Sequence, residues 1–195
     1  MSTGMASEDE ISEALDAARS CGARNILLFH CISSYPAPLE QSNLNMIGTL
    51  KKKFKVEVGL SDHTLDNMAA TLSISMGAVA IEKHFILDKT LTGPDSAFSM
   101  DPDQLCNLVQ DTEKAWKSMG SDDFQRAKVE EASLAFRRSI YFVKNLKEGT
   151  VITKDHIKRI RPGYGLKPKF FDKLIGKKVI SDIEIGDPVT WDIVD

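Results

Sequence analysis

The chain has 195 residues, 42% of them hydrophobic and 27% charged, with a net charge of −3. That suffices for one medium domain, or a domain plus a small module, and argues against a disordered chain. Acidic and basic residues are interspersed, so no basic field points to nucleic acid, and the local run Lys51–Phe54 reads as a solvated helix end.

In chain order, Ser7 with Glu10 three residues on forms a capping box, followed by Ile11, Leu15 and Ala18 on one face and a stop near Gly22. This predicts an amphipathic helix. The apolar run Asn25–Cys31 reads as a strand, the stretch "ISSYPAP" after it as a turn-rich loop, and Leu39–Phe54 as a helix. The cycle repeats with a strand at Val56–Leu60, a helix over Thr64–Gly77, a strand at Ala78–Leu87, and a long helix over Asp101–Gly120 with Asp101 near its cap. Alternation of helix and buried strand predicts parallel pairing. Three strands with four helices make only an arc of sheet, so elements beyond these are expected to cover its edges.

The charged segment "SDDFQRAKVEEASLAFRRS" reads as a connecting arm, expected over residues 121–135, between a first domain over 1–120 and a second over 136–195. The second is rich in short β-like pieces and carries a weak repeat. "NLKEGTVITKDHI" from Asn145 aligns without gaps on "DIEIGDPVTWDIV" from Asp182, matching Gly149 with Gly186, Thr153 with Thr190 and Asp155 with Asp192. A module of two similar halves is expected.

Cys21, Cys31 and Cys106 are odd in number and widely spaced, forming neither a disulfide framework nor a CxxC metal site. With no signal-like N-terminus and no apolar run of spanning length, a soluble protein of the reducing cytoplasm is expected, without membrane or nucleic-acid partners.

Chemistry in parallel α/β architectures gathers at the C-terminal strand ends. His63 and His84 both fall there, and neighbouring strands lie about 4.8 Å apart, so the two imidazoles are placed to share a metal. The competing reading is that each caps its strand on a backbone carbonyl. Ser61, Asp62, Glu82 and Lys83 beside them, Asp95 in "GPDS", and Ser33, Ser34 and Tyr35 after the first strand add converging polar groups. His30, inside an apolar run, and His156, in the second domain, read as structural.

"HCISSYPAP", "NLNMI", "VGLSDHT", "GAVAIEKHF", "GPDSAFS" and "RPGYGL" occur in the order and spacing of the sialic acid synthase family, and "GLSDHT", "GPDSAFSM" and "FRRSIY" look most like its pseudaminic acid synthase branch. The resemblance implies an α/β fold, the C-terminal half of a (β/α)8 TIM barrel followed by a small, mostly β SAF (antifreeze-like) domain. It also implies a transferase that condenses phosphoenolpyruvate with an N-acetylated amino-sugar aldehyde to a nine-carbon ulosonic acid and phosphate. By the same resemblance His63 and His84 are ligands of a divalent ion, Mn2+ or Mg2+, with Glu82 beside the reacting carbons, giving a catalytic set of Glu82, His63 and His84. Ser61 and Ser2 match positions that contact phosphoenolpyruvate, and Tyr35 and Asp95 match sugar-contacting positions. Ser33 stands where the neuraminate branch carries Asn, which implies a sugar other than N-acetylmannosamine. Arg161 matches an arginine that the SAF domain of one subunit of a homodimer reaches into its partner's site.

A complete barrel takes about 250 residues, so a separate N-terminal half is an expected partner, and this chain alone is expected to lack synthase activity. The alternative is a non-catalytic sugar-binding or assembly module acting through its SAF domain. A third possibility is a remnant with an aggregating sheet edge.

Overall fold

Ser7 and Glu10 cap each other at the first helix: the Ser7 hydroxyl accepts the Glu10 N–H, and the Glu10 carboxylate accepts the Ser7 N–H at 2.6 Å. The bond from the Ser7 N–H holds the Glu10 carboxyl below its usual value. The helix, α1, runs Glu8–Ser20 and buries Ile11 and Leu15. The computed structural model describes residues 1–195 as two compact units, Met1–Asp122 and Asp123–Asp195.

In the first unit, β1 (Leu27–Cys31), β2 (Glu57–Ser61) and β3 (Ile81–Glu82) form a parallel sheet in that order, and Ser2 bridges to Phe29 on the free side of β1. Helices α2 (Asn45–Phe54), α3 (Met68–Ser75) and α4 (Pro102–Ser118) alternate with the strands. Leu28, Val58 and Leu60 face the helices, packing with Ile11, Leu15, Ile47, Leu50 and Ala69. The opposite face differs. There the Phe29 ring lies over Gly59, where a Cβ would come within 2.7 Å of it, and the register aligns Cys31, Ser61 and Glu82 in one row at the strand ends.

Three elements are shorter than the sequence predicts. The helix expected from Leu39 opens as a separate 3-10 turn, Leu39–Gln41, because Asn43 takes a positive φ of 45° and breaks the spiral before α2. The helix expected from Thr64 begins at Met68, because the Asp62 carboxylate accepts the Thr64 N–H and the Asp66 carboxylate accepts that of Met68, holding the intervening residues in a turn. The strand expected over Ala78–Leu87 is regular only at Ile81–Glu82, although Val79 and Ala80 also bond the β2 backbone. It has a β2 partner on one side alone, and beyond Glu82 the chain turns to pair His84 and Ile86 with Met100.

The second unit is built on a pair of antiparallel strands, β4 (Ser139–Phe142) and β5 (Ile157–Ile160), with a short helix α5 (Phe171–Leu174). Two 3-10 turns, Lys128–Glu130 and Ala132–Phe136, occupy much of the segment read as a connecting arm. Ile140, Phe142, Leu146, Ile152, Ile157, Leu174, Val179, Ile183, Val189 and Val194 share one core. The repeat is structural. Leu146 bridges Ile183, Lys147 bonds Asp182 at 2.6 Å, and Gly149 and Gly186 occupy equivalent turns at φ of 81° and 98°, which only glycine adopts without strain.

Candidate functional site

Ser61 ends β2 and Glu82 ends β3, and the two are register partners. Their side chains bond directly: the Ser61 hydroxyl donates to Glu82 Oε1 at 2.7 Å. His63 and His84 each lie two residues further on, so equal offsets from paired strand ends bring them together, with ring centroids 5.3 Å apart. His63 Nε2 also lies 3.4 Å from the Ser61 hydroxyl.

Each ring is held through its other nitrogen. His63 Nδ1 is 2.8 Å from the Ile32 carbonyl, which can only accept, so that nitrogen carries a proton, and in the neutral ring Nε2 holds the lone pair. The Ala37 N–H returns a bond to the His63 carbonyl, tying the loop after β1 to the loop after β2. His84 Nδ1 lies 3.3 Å from Asp95 Oδ2, which orients the second ring the same way. The Tyr35 ring packs 4.3 Å from His63 and 5.7 Å from His84, and Phe98 closes the cluster 4.9 Å from His84 and 5.5 Å from Tyr35.

Beneath the histidines sits a buried ion pair. Lys83 Nζ bonds Asp62 Oδ2 at 3.0 Å with both side chains almost fully enclosed, 3% and 2% exposed. The same ammonium donates to the Thr64 carbonyl at 2.6 Å and the Asp66 carbonyl at 3.3 Å. Asp62 precedes His63 and Lys83 precedes His84, so the pair fixes the two histidine-bearing backbones against each other. Beside Glu82 and His84 opens a recess of about 350 Å³, walled by Phe29, Phe85, Met100 and Leu105.

The structure thus brings together His63, His84, Ser61, Glu82, Tyr35 and Asp95. Ser2 and Ser33 are exposed and their hydroxyls make no hydrogen bond within the chain; the Ser33 hydroxyl lies beside Gly4. Arg161 lies exposed in the other unit, its guanidinium without an ion-pair partner. His30 donates through Nε2 to the buried Ser42 carbonyl at 2.8 Å, and His156 accepts the Thr153 N–H; both are structural bonds. The reading missed Phe98, whose signal is its place three residues after Asp95 in a turn closed by bonds to the Asp95 carbonyl.

Two imidazoles sharing one ion at about 2.1 Å have centroids roughly 4.5–6 Å apart, so the observed separation suits a shared metal. Both are anchored through Nδ1, an arrangement that frees Nε2 to ligate. No group of three or more His, Cys, Asp or Glu side chains gathers into a metal-holding set. Two imidazoles alone suit zinc or nickel at least as well as manganese, so selection of a hard ion would rest on oxygen ligands from water or substrate.

The NeuB family model matches residues 1–124 and the SAF domain model residues 137–194. Pseudaminic acid synthase of Campylobacter jejuni is 37% identical over 187 residues, 96% of this chain and 54% of that protein. N,N'-diacetyllegionaminic acid synthase of Legionella pneumophila is 36% identical over 200 residues, 100% of this chain and 56% of its own length. The crystal structure of the spore coat polysaccharide biosynthesis protein SpsE from Bacillus subtilis covers 100% of this chain with 60% of its own, at 31% identity and a TM-score of 0.58. The chain therefore spans little more than half the length of these relatives. With its first 124 residues matched to one family model and residues 137–194 to the SAF domain, this chain belongs to the NeuB family.

Proposed function

We propose that this chain supplies one part of a (β/α)8 barrel together with a SAF domain to a phosphoenolpyruvate-dependent nonulosonic acid synthase of the pseudaminic acid branch, acting in the cytoplasm. The observation that carries this is the pairing of His63 with His84, two residues beyond the bonded strand-end pair Ser61 and Glu82. Free cysteines at 21, 31 and 106 fit a reducing compartment.

In this reading His63 and His84 hold a divalent ion, Mn2+ or Mg2+, which when bound supplies Lewis-acid polarisation of the aldehyde oxygen. The chain's own groups do the rest. The exposed Glu82 carboxylate, steadied by the Ser61 hydroxyl, faces the recess beside His84 and is placed to move a proton at the reacting carbons. Ser61 and Ser2 contact phosphoenolpyruvate, and Tyr35, Asp95 and Ser33 contact the N-acetylated sugar. The half-exposed Tyr35 and Asp95 present polar groups toward solvent at the cluster's rim. Arg161 reaches the partner's sugar in a homodimer.

The test is phosphate release from phosphoenolpyruvate and an N-acetylated amino-sugar aldehyde, by the protein isolated from its source with whatever chains accompany it. We expect phosphate and a nine-carbon acid in equal amounts, both abolished by His63→Ala and strongly reduced by Glu82→Gln. A saccharide-binding protein without turnover, whose binding survives loss of both histidines and fails with Arg161→Ala, would instead establish a non-catalytic module.

A further inference from the structure

The second unit carries a groove of about 460 Å³ between the approach to β4 and the loop 163–169, lined by Arg126, Arg137, Arg138, Lys167 and Lys169 with no acidic residue on its walls. We propose that this groove binds a small molecule bearing phosphate groups.

The two walls are stitched together by the backbone. The Gly163 N–H donates to the Ala135 carbonyl, the buried Ser139 hydroxyl donates to the Pro162 carbonyl at 2.7 Å and accepts the Gly165 N–H at 3.0 Å, and the Ile140 N–H donates to the Leu166 carbonyl. A Cβ on Gly165 would come within 2.3 Å of the Ile140 carbonyl oxygen, so the close approach that forms the groove needs glycine there. Arg159, stacked 3.8 Å from the Phe171 ring centroid, donates to the Pro168 carbonyl and steadies the wall carrying Lys167 and Lys169. Arg137, Arg138, Lys167 and Lys169 thus project from hydrogen-bonded walls, as a pre-formed anion site requires.

None of the five groove cations belongs to the ion pairs Lys147–Asp182 and Arg159–Asp172, and Lys169 Nζ lies over the Phe170 ring, 5.0 Å from its centroid, without a carboxylate. Residues 123–195 hold fifteen lysines and arginines against eleven acids, a net of +4, while residues 1–122 hold ten against seventeen, a net of −7. Like charges gathered in one concavity repel one another and are relieved by an anion. Three guanidinium forks and two ammonium groups match the bidentate and point-charge recognition of phosphate oxygens. The volume falls in the range of small-ligand pockets, and the net negative charge of the whole chain opposes a long nucleic-acid backbone.

The proposal does not rest on the metal reading of the histidines. Its test is titration of the 15N-labelled full chain with pyrophosphate, following backbone amides. Saturable shifts confined to residues 126–139 and 163–169 are expected, with affinity lowered about tenfold or more by Arg137→Ala/Arg138→Ala and unchanged by Lys177→Ala/Lys178→Ala. All four substituted side chains are exposed or half-exposed, so the folded spectrum should persist. Absence of saturation, or equal weakening by the Lys177/Lys178 control, would overturn it. So would tighter binding of a single-stranded oligonucleotide with shifts spreading beyond the groove, which would make the patch a nucleic-acid surface.

Discussion

Lys83 and Asp62 show how a site can depend on residues that never touch a ligand. The pair is buried, and Lys83 also satisfies two carbonyls in the loop after β2, so removing one partner strands a charge and leaves acceptors unpaired. Breaking a buried pair from one side costs about 3–5 kcal/mol, whereas replacing both partners by apolar groups of similar volume costs far less. Lys83→Met should therefore lower the urea midpoint of the full chain more than Asp62→Asn/Lys83→Met does, because the asparagine carries no stranded charge and still accepts the Thr64 N–H. Equal losses would mean that the pair is not coupled. The meeting of His63 and His84 was legible in the sequence, because each follows a short apolar run, Val58–Leu60 and Ala78–Ile81, at matching places in successive strand-like units. The Asp62–Lys83 bond was not legible. It needs the register of β2 on β3, and the sequence alone leaves that register open by a residue or more.

At the scale of elements, strand and helix existence followed from periodicity, while ends were decided by bonds that periodicity does not carry: the Asp62 and Asp66 turns before α3, and the departure of the chain from β2 after Glu82. The repeat in the second unit was legible because its glycines recur at one offset and both do the same conformational work. Gly149→Ala and Gly186→Ala should each destabilise by about 1–2 kcal/mol in denaturant titrations, with no Cβ clash to add to the backbone cost. A neutral result at either would break the equivalence of the halves. Between the repeats, the hydrogen bond from Lys147, with that of the Glu148 N–H, holds the Asp182 carboxyl below its usual value, and the same Asp182 bond raises Lys147. A depressed carboxyl stabilises the fold above its unfolded value, and that contribution is lost as pH falls through the folded one. Lys147 keeps its contribution until pH rises through its raised value, so the pair acts from the acidic range up to the lysine range. Asp182→Asn should thus flatten the acid limb of a stability-against-pH curve, and an unchanged limb would show the pair to be idle.

Across the whole molecule, two units with separate cores carry opposite net charge, and each matches its own domain model. The family resemblance was legible because its motifs sit at strand ends and turns, where chemistry fixes residue type. The basic groove was not, because Arg126 and Arg137 lie far along the sequence from Lys167 and Lys169 and are joined only by the folded backbone. The central claim is that His63 and His84 together hold one divalent ion. Calorimetric titration of the purified chain with Mn2+ tests it most directly: one ion per chain is expected, with binding lost in both His63→Ala and His84→Ala and retained in Arg137→Ala/Arg138→Ala. Binding that survives either histidine substitution, or no binding by the unaltered chain, would contradict the account.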